Sequence, residues 1–218
     1  MSEPEVLGLD ESLEFWDKRH KVQDDLRSGG DVTYDHAANE LFYVVRLGRL
    51  TEILGLADAP LWQRHLLDAG CGKGYFARAM GSFGHRVDGI DGSPHAISEC
   101  QRLGGVTESY AVSTLAAWAP SHQYDGVYSV DVAFHIMEDD EWAASMRNLA
   151  GLVRLGGLLV VADHNADQDK VWQKYQKTRA GRSYDALFGP LGLSRRGEFV
   201  PYGFLGSPAG FHVFTRDA

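Results

Sequence analysis

From about His65 onward, the apolar positions of this chain come in short runs, each followed by a glycine or polar break and then by apolar residues at helical spacing. "HLLDAG", "RVDGID", "ESYAVS", "YDGVYSVDV" and "GGLLVVADH" read as five strands. The last is apolar from Leu158 to Ala162, as a strand buried on both faces must be. Between them, "YFARAMGSFG", "SPHAISECQRLG" and "EWAASMRNLAGLV" repeat apolar residues at three- and four-residue intervals and read as helices, the second with Pro94 in its first turn. Strands alternating with helices predict a parallel sheet with right-handed crossovers. Near the end, "GEFVPYGF" and "GFHVFTRD" are β-leaning runs joined by too few residues for a crossover helix, so they predict an antiparallel pair at one edge.

The first sixty residues follow a different pattern. "SLEFWDKRHKVQDDLRSGG" stops at a glycine pair, and "DHAANELFYVVRLGRLTEILGL" places Leu41, Val44, Val45, Leu47, Leu50, Ile53 and Leu54 at helical intervals. The expected architecture is an α/β, Rossmann-like, seven-stranded and mostly parallel sheet with an antiparallel edge strand. Residues 1–60 form a helical cap or lid, and residues 61–218 form a core compact with it.

Composition narrows the function. The 218 residues carry a formal charge of −9, which argues against a nucleic-acid partner. Two cysteines are too few for a disulfide framework and suit a reducing, cytoplasmic setting. The acidic N-terminus has no basic and apolar signal pattern, and no run approaches the roughly 18 apolar residues of a membrane span.

The candidate chemistry begins at "LLDAGCGKGYFARAM", where Gly70, Gly72 and Gly74 separate the first strand from a helix. Glycines here allow a tight turn and close approach of a ligand to the main chain. A phosphate-cradling loop needs G-K-[S/T], and Lys73 is followed by Gly74. A dinucleotide fingerprint survives only in relaxed form, from Gly72 with Ala77 in place of the last glycine, which keeps an NAD-dependent oxidoreductase as an alternative.

"LDAGCGKG", an acid just ahead of G-x-G-x-G, resembles the first motif of class I S-adenosylmethionine-dependent methyltransferases. "VDGIDGSPHAI", "YDGVYSVDVAFHI" and "RLGGLLVVAD" resemble later motifs of that family, the last with Leu155 where a proline is usual. The resemblance spans about Leu66 to Asp163. It implies a transferase whose cofactor is S-adenosyl-L-methionine and whose product is S-adenosyl-L-homocysteine. Gly70, Gly72 and Gly74 would form its loop, with Asp68 near the cofactor's cationic groups. Asp91 would accept the ribose hydroxyls. Gly92, Ser93 and Ser113 would lie by the adenine, and Asp131 and Val132 by the methionine moiety. Asp68, Asp91, Asp131 and Asp163 all fall at predicted strand ends, where one pocket could gather them.

Motifs for base, amide-nitrogen or arginine acceptors are missing, which leaves a small molecule, most simply at a hydroxyl oxygen and alternatively at nitrogen. His135 and His164, following the fourth and fifth strands, are the candidate general bases, since an imidazole titrates near neutrality. No metal is assigned to the site. Aromatic residues outside the motifs, among them Trp16, Trp172 and Tyr175, are candidates for the acceptor wall, and Arg179, Arg182, Arg195 and Arg196 for an anionic group on the acceptor. The core motifs give the N-terminal segment no part in holding the cofactor.

Overall fold

Alternate residues of the central strands supply two separate cores. Leu66, Val87, Tyr128, Val160 and Ala162 face one side, and Leu67, Ile90, Val127, Leu159 and Val161 the other. A sheet with two apolar faces needs a helical layer on each. The computed structural model of the chain describes residues 6–23, 25–56 and 63–217. Its strands are β1 (His65–Ala69), β2 (Arg86–Asp91), β3 (Glu108–Val112), β4 (Tyr124–Ser129), β5 (Val153–His164), β6 (Lys170–Gln173), β7 (Gln176–Thr178), β8 (Leu193–Arg195), β9 (Val200–Pro201) and β10 (Ala209–Arg216). The helices are α1 (Leu9–Val22), α2 (Asp25–Ser28), α3 (His36–Ile53), α4 (Tyr75–Ser82), α5 (Pro94–Leu103), α6 (Asp139–Leu152) and α7 (Gly181–Phe188).

The main sheet has the order β3-β2-β1-β4-β5-β10-β8, with β9 beside β10. β3 to β5 run parallel, and β10 is antiparallel to both β5 and β8. The predicted mixed α/β sheet is thus present, with two differences at the tail. β10 is an interior strand, not an edge, and its first six residues are buried. The edge is β8, a three-residue strand too short to show a pattern. The expected break between residues 60 and 61 lies outside the described residues.

Phe42, Tyr43 and Leu50 of α3 pack with Phe76, Ala77 and Met80 of α4 on one face of the sheet. Trp142, Met146 and Leu149 of α6 and Tyr184 and Phe188 of α7 cover the other. The predicted stripe of α3 is buried in part: Leu50 and Leu54 lie in the core and Leu47 and Ile53 pack against it, but Leu41 and Val44 are 58% and 52% exposed. Asn39, Phe42, Tyr43 and Arg46 face inward alongside Leu50. Asn39 earns that place by binding the preceding turn, accepting from Asp31 N and donating to the Asp31 and Tyr34 carbonyls. Among the described residues no helix is long and apolar enough to cross a membrane.

Candidate active site

The turn after β1 leaves the sheet through three left-handed residues, Gly70 (φ 84°), Gly72 (φ 51°) and Gly74 (φ 76°). A side chain at Gly70 would also collide with Val132. The turn is held from β2: Gly70 N and Cys71 N donate to the Ile90 carbonyl, and Gly72 N donates to Asp91 Oδ2 at 2.9 Å. The other Asp91 oxygen accepts from Ser93 N at 2.8 Å. One carboxylate therefore fixes both the glycine turn and the start of α5.

Above the carboxyl ends of β1, β2 and β4 lies a cavity of about 970 Å³, including the part open to solvent. Gly70, Gly72, Asp91, Gly92, Ser93, Asp131, Val132 and His135, all predicted site residues, line it. Asp68, Gly74, Ser113 and His164 do not. Thr114 and Leu115 take the place expected of Ser113, whose hydroxyl donates to the Thr114 carbonyl. Gly74 is the residue before α4 and sits over Cys100 and Tyr110. His164 shares a hydrogen bond with Thr178 Oγ1 at 2.9 Å and stacks on Phe134. Asp163 is buried under α7, accepting from Tyr184 Oη at 2.6 Å and from the backbone of His164 and Arg179. The expected gathering of four acids is therefore a gathering of two, Asp91 and Asp131. Arg179, a candidate for an anionic acceptor, is buried, and it donates to the carbonyls of Ile136, Met137 and Lys177 and to Asp139.

Asp68 lies behind the loop, buried beneath it, and burial pushes its carboxyl up to about 8. The folded chain keeps this proton far above 3.8, the usual value for an aspartate, at which an unfolded chain releases it. Asp68 thus supports the ligand-free fold fully in acid and progressively less as pH rises toward 8. Asp68→Asn, neutral at every pH, is expected to match the wild type near pH 4 and to outlast it increasingly toward pH 8. Thermal melts across that range test this, and parallel curves would count against it.

His135 closes a 3-10 turn (Ala133–His135) after β4. Its Nδ1 lies 2.7 Å from the Tyr175 carbonyl. A carbonyl only accepts, so Nδ1 carries the proton and Nε2 keeps the basic lone pair. Burial lowers the imidazole pKa to about 4, so the ring is neutral at physiological pH. Tyr175 sits at the tip of a β-hairpin made by β6 and β7, the form taken by the basic "DKVWQKYQKT" segment. Its ring stacks on Phe15 of α1 at 5.1 Å, and Trp16 packs on His135 at 4.4 Å.

α1 lies directly over the cavity, contributing Leu9, Ser12, Leu13, Trp16 and His20 to its wall. Leu13 lies over Gly92 and His20 over Gly72. Asp17 anchors the helix, accepting from Ser93 Oγ at 2.6 Å and from His95 N at 3.1 Å at the start of α5. The N-terminal segment therefore touches the very residues assigned to the cofactor, a contact that the core motifs could not show.

Sequence reasoning also missed Arg46. Its guanidinium is buried over the rings of Phe42 (3.9 Å) and Tyr43 (4.2 Å) and pairs through Nη1 with Asp131. Burial opposes its charge most strongly, but Asp131, Tyr43 and Tyr202 together outweigh it and the pKa is raised. Tyr202 Oη donates to the other Asp131 oxygen at 2.7 Å, and Asp131 itself has φ 56°, strained for a non-glycine residue. Arg46 Nη2 is buried with no hydrogen-bond partner among the described residues. It borders a second cavity that Gly70, Cys71, Gly72 and Lys73 also line. The available signal was an arginine four residues from Phe42 and from Leu50, on the buried stripe of α3.

A family profile for the methyltransferase domain matches residues 20–215. The chain belongs to this family. The match decides between the two readings of the glycine loop in favour of the methyltransferase. Among curated relatives, the ubiquinone biosynthesis O-methyltransferase of Methylocella silvestris is 33% identical over 148 residues, 66% of this chain and 55% of that protein. The chain spans about a third to a half of the length of the first curated relatives it matches. Among solved structures, the N-methyltransferase NodS of Bradyrhizobium japonicum in complex with S-adenosyl-L-homocysteine has a TM-score of 0.71 at 17% identity, covering 95% of this chain and 99% of that one. The magnesium protoporphyrin IX methyltransferase of Synechocystis with bound S-adenosylhomocysteine has a TM-score of 0.69 at 18% identity, over 94% of each chain. At these identities the two structures establish a shared fold.

Proposed function

We propose that this methyltransferase domain transfers a methyl group from S-adenosylmethionine to a hydroxyl oxygen of a small molecule in the cytoplasm. One observation carries the reading. The bare glycine turn, Asp91 and a neutral His135 with a fixed tautomer all line a single cavity at the carboxyl ends of the strands.

The residues present fit the cofactor. Gly70 and Gly72 expose backbone to the cavity, and each Asp91 oxygen, holding one N–H, retains a lone pair for a ribose hydroxyl. The orphan Arg46 Nη2, beside the same glycine turn, would receive the cofactor's carboxylate. The cofactor supplies an activated methyl on a sulfonium. His135 would accept the proton of the acceptor hydroxyl at Nε2, and α1 with the β6–β7 hairpin would cover the cavity and exclude water. The likeness to a ubiquinone biosynthesis O-methyltransferase supports oxygen, and the charge of −9 supports a small acceptor over nucleic acid.

Calorimetry with S-adenosylhomocysteine and with NAD is the direct test, and binding of NAD alone would overturn the proposal. Asp91→Ala is expected to raise the dissociation constant of S-adenosylhomocysteine at least about tenfold, since charge-assisted bonds contribute roughly 1.5–3 kcal/mol. It should also lower the stability of the ligand-free protein, because Gly72 N and Ser93 N lose their acceptor. An unchanged affinity would remove Asp91 from the cofactor site.

A further inference from the structure

At the opposite end of the sheet, three side chains from separate parts of the chain converge. His65 opens β1, Asp88 lies within β2, and His122 precedes β4. His65 Nε2 is 3.0 Å and His122 Nε2 3.1 Å from the same oxygen, Asp88 Oδ2. One ligand atom from each residue lies within 4.8 Å of the others. Asp88, the innermost member of the cluster, lies three residues of β2, about 10 Å of extended chain, before Asp91 at the cavity.

We propose that His65, Asp88 and His122 bind a divalent transition-metal ion, with zinc as the best match. Ligand atoms about 2.0–2.2 Å from a tetrahedral zinc lie roughly 3.3–3.6 Å from one another, near the 3.0 and 3.1 Å from each imidazole to Asp88 and inside the 4.8 Å that bounds all three. Two imidazoles and a carboxylate are the donor set that such ions take, whereas magnesium and calcium prefer oxygen. The imidazoles stack at 4.4 Å with both Nε2 atoms turned to one oxygen that already accepts from Tyr124 Oη at 2.9 Å. A shared cation gives that convergence a use which three hydrogen bonds to one oxygen do not need. The support around the carboxylate is already built. Ser109 Oγ donates to Asp88 Oδ1 at 2.5 Å, and the His65 backbone N donates to Asp125 at 2.7 Å. Asp88 is 7% exposed and His122 37%, so the ion has an entry path and a face left for water. Bound there, the metal ties β1, β2 and the segment before β4 together, outside the reacting cavity.

The test uses the full chain, metal-stripped and without a histidine tag. Titration with zinc should show one ion per chain and a rise in melting temperature of several degrees. Cobalt(II) should give visible bands of nitrogen and oxygen ligation without a near-ultraviolet thiolate band. His122→Ala, a change at a half-exposed site, should weaken both metals at least tenfold while leaving S-adenosylhomocysteine binding unchanged. Asp88→Asn provides the second variant, with the same expected loss. Zinc affinity equal in wild type and His122→Ala, no binding to the wild type, or a thiolate band from Cys71 and Cys100 would each overturn the assignment.

Discussion

Replacing His135 with alanine is expected to slow methyl transfer to a hydroxyl acceptor by about 10²–10⁴-fold, the range general-base catalysis contributes. The ring has what that role needs. Its Nδ1–H is committed to the Tyr175 carbonyl, it lines the cavity, and its pKa of about 4 leaves it neutral. The depressed pKa gives the prediction a pH signature. Protonation silences the base only near pH 4, so the His135-dependent part of kcat/KM should stay level from pH 5 to 8, where an ordinary imidazole would show a limb near 6.5. An acidic limb at 6.5 would point to another base. A variant that keeps its full rate would select a nitrogen acceptor, which needs no base when its lone pair is free.

Arg46→Ala should be the most damaging single substitution for stability, costing about 3–5 kcal/mol, the range for breaking a buried ion pair. Three losses coincide. Asp131 loses its cation, the rings of Phe42 and Tyr43 lose the plane packed on them, and Tyr202 is left to hold a strained Asp131 alone. For a chain of this size such a loss lowers Tm by roughly 6–20 °C. Arg46→Lys should recover little, since one ammonium cannot hold Asp131 and a second carboxylate in the planar fork. Melting and S-adenosylhomocysteine titration of both variants check the effect. A Tm within about 2 °C of wild type for Arg46→Ala would show the pair to be dispensable.

The difference between Asp68 and Asp91 shows where the sequence stopped being informative. Both precede glycines at predicted strand ends. The register separates them, for Ala69 pairs with Ile90, so Asp91 stands one position beyond the end of β1. Asp68, opposite Gly89, remains inside the sheet. Asp163 is withheld in the same way, because β10 pairs with β5 as far as His164. Strand pairing is a long-range property that local pattern does not carry. Long apolar runs such as β5, and loops whose glycines require positive φ, were legible because their cause is local. The three residues of β8 offer no period to read. Arg46 and Asn39 conceal the buried stripe of α3, since polar residues on an inward face look like a solvent face until their partners are known.

The Asp17 anchor of α1 has a kinetic consequence. The helix caps α5 from outside, borrowing the N–H of His95 and the hydroxyl of Ser93, beside the carboxylate assigned to the ribose. With the cofactor placed as proposed, spent and fresh cofactor would exchange past the same helix, whose Leu9, Ser12, Leu13, Trp16 and His20 line the cavity. Under the proposed function, each turnover would include the breaking and remaking of these two bonds, and the residence time of the product would follow how long α1 stays seated. Weakening Asp17 speeds that exchange at the expense of affinity, so a variant at a position remote from the reacting atoms can turn over faster when cofactor is abundant and slower when it is scarce.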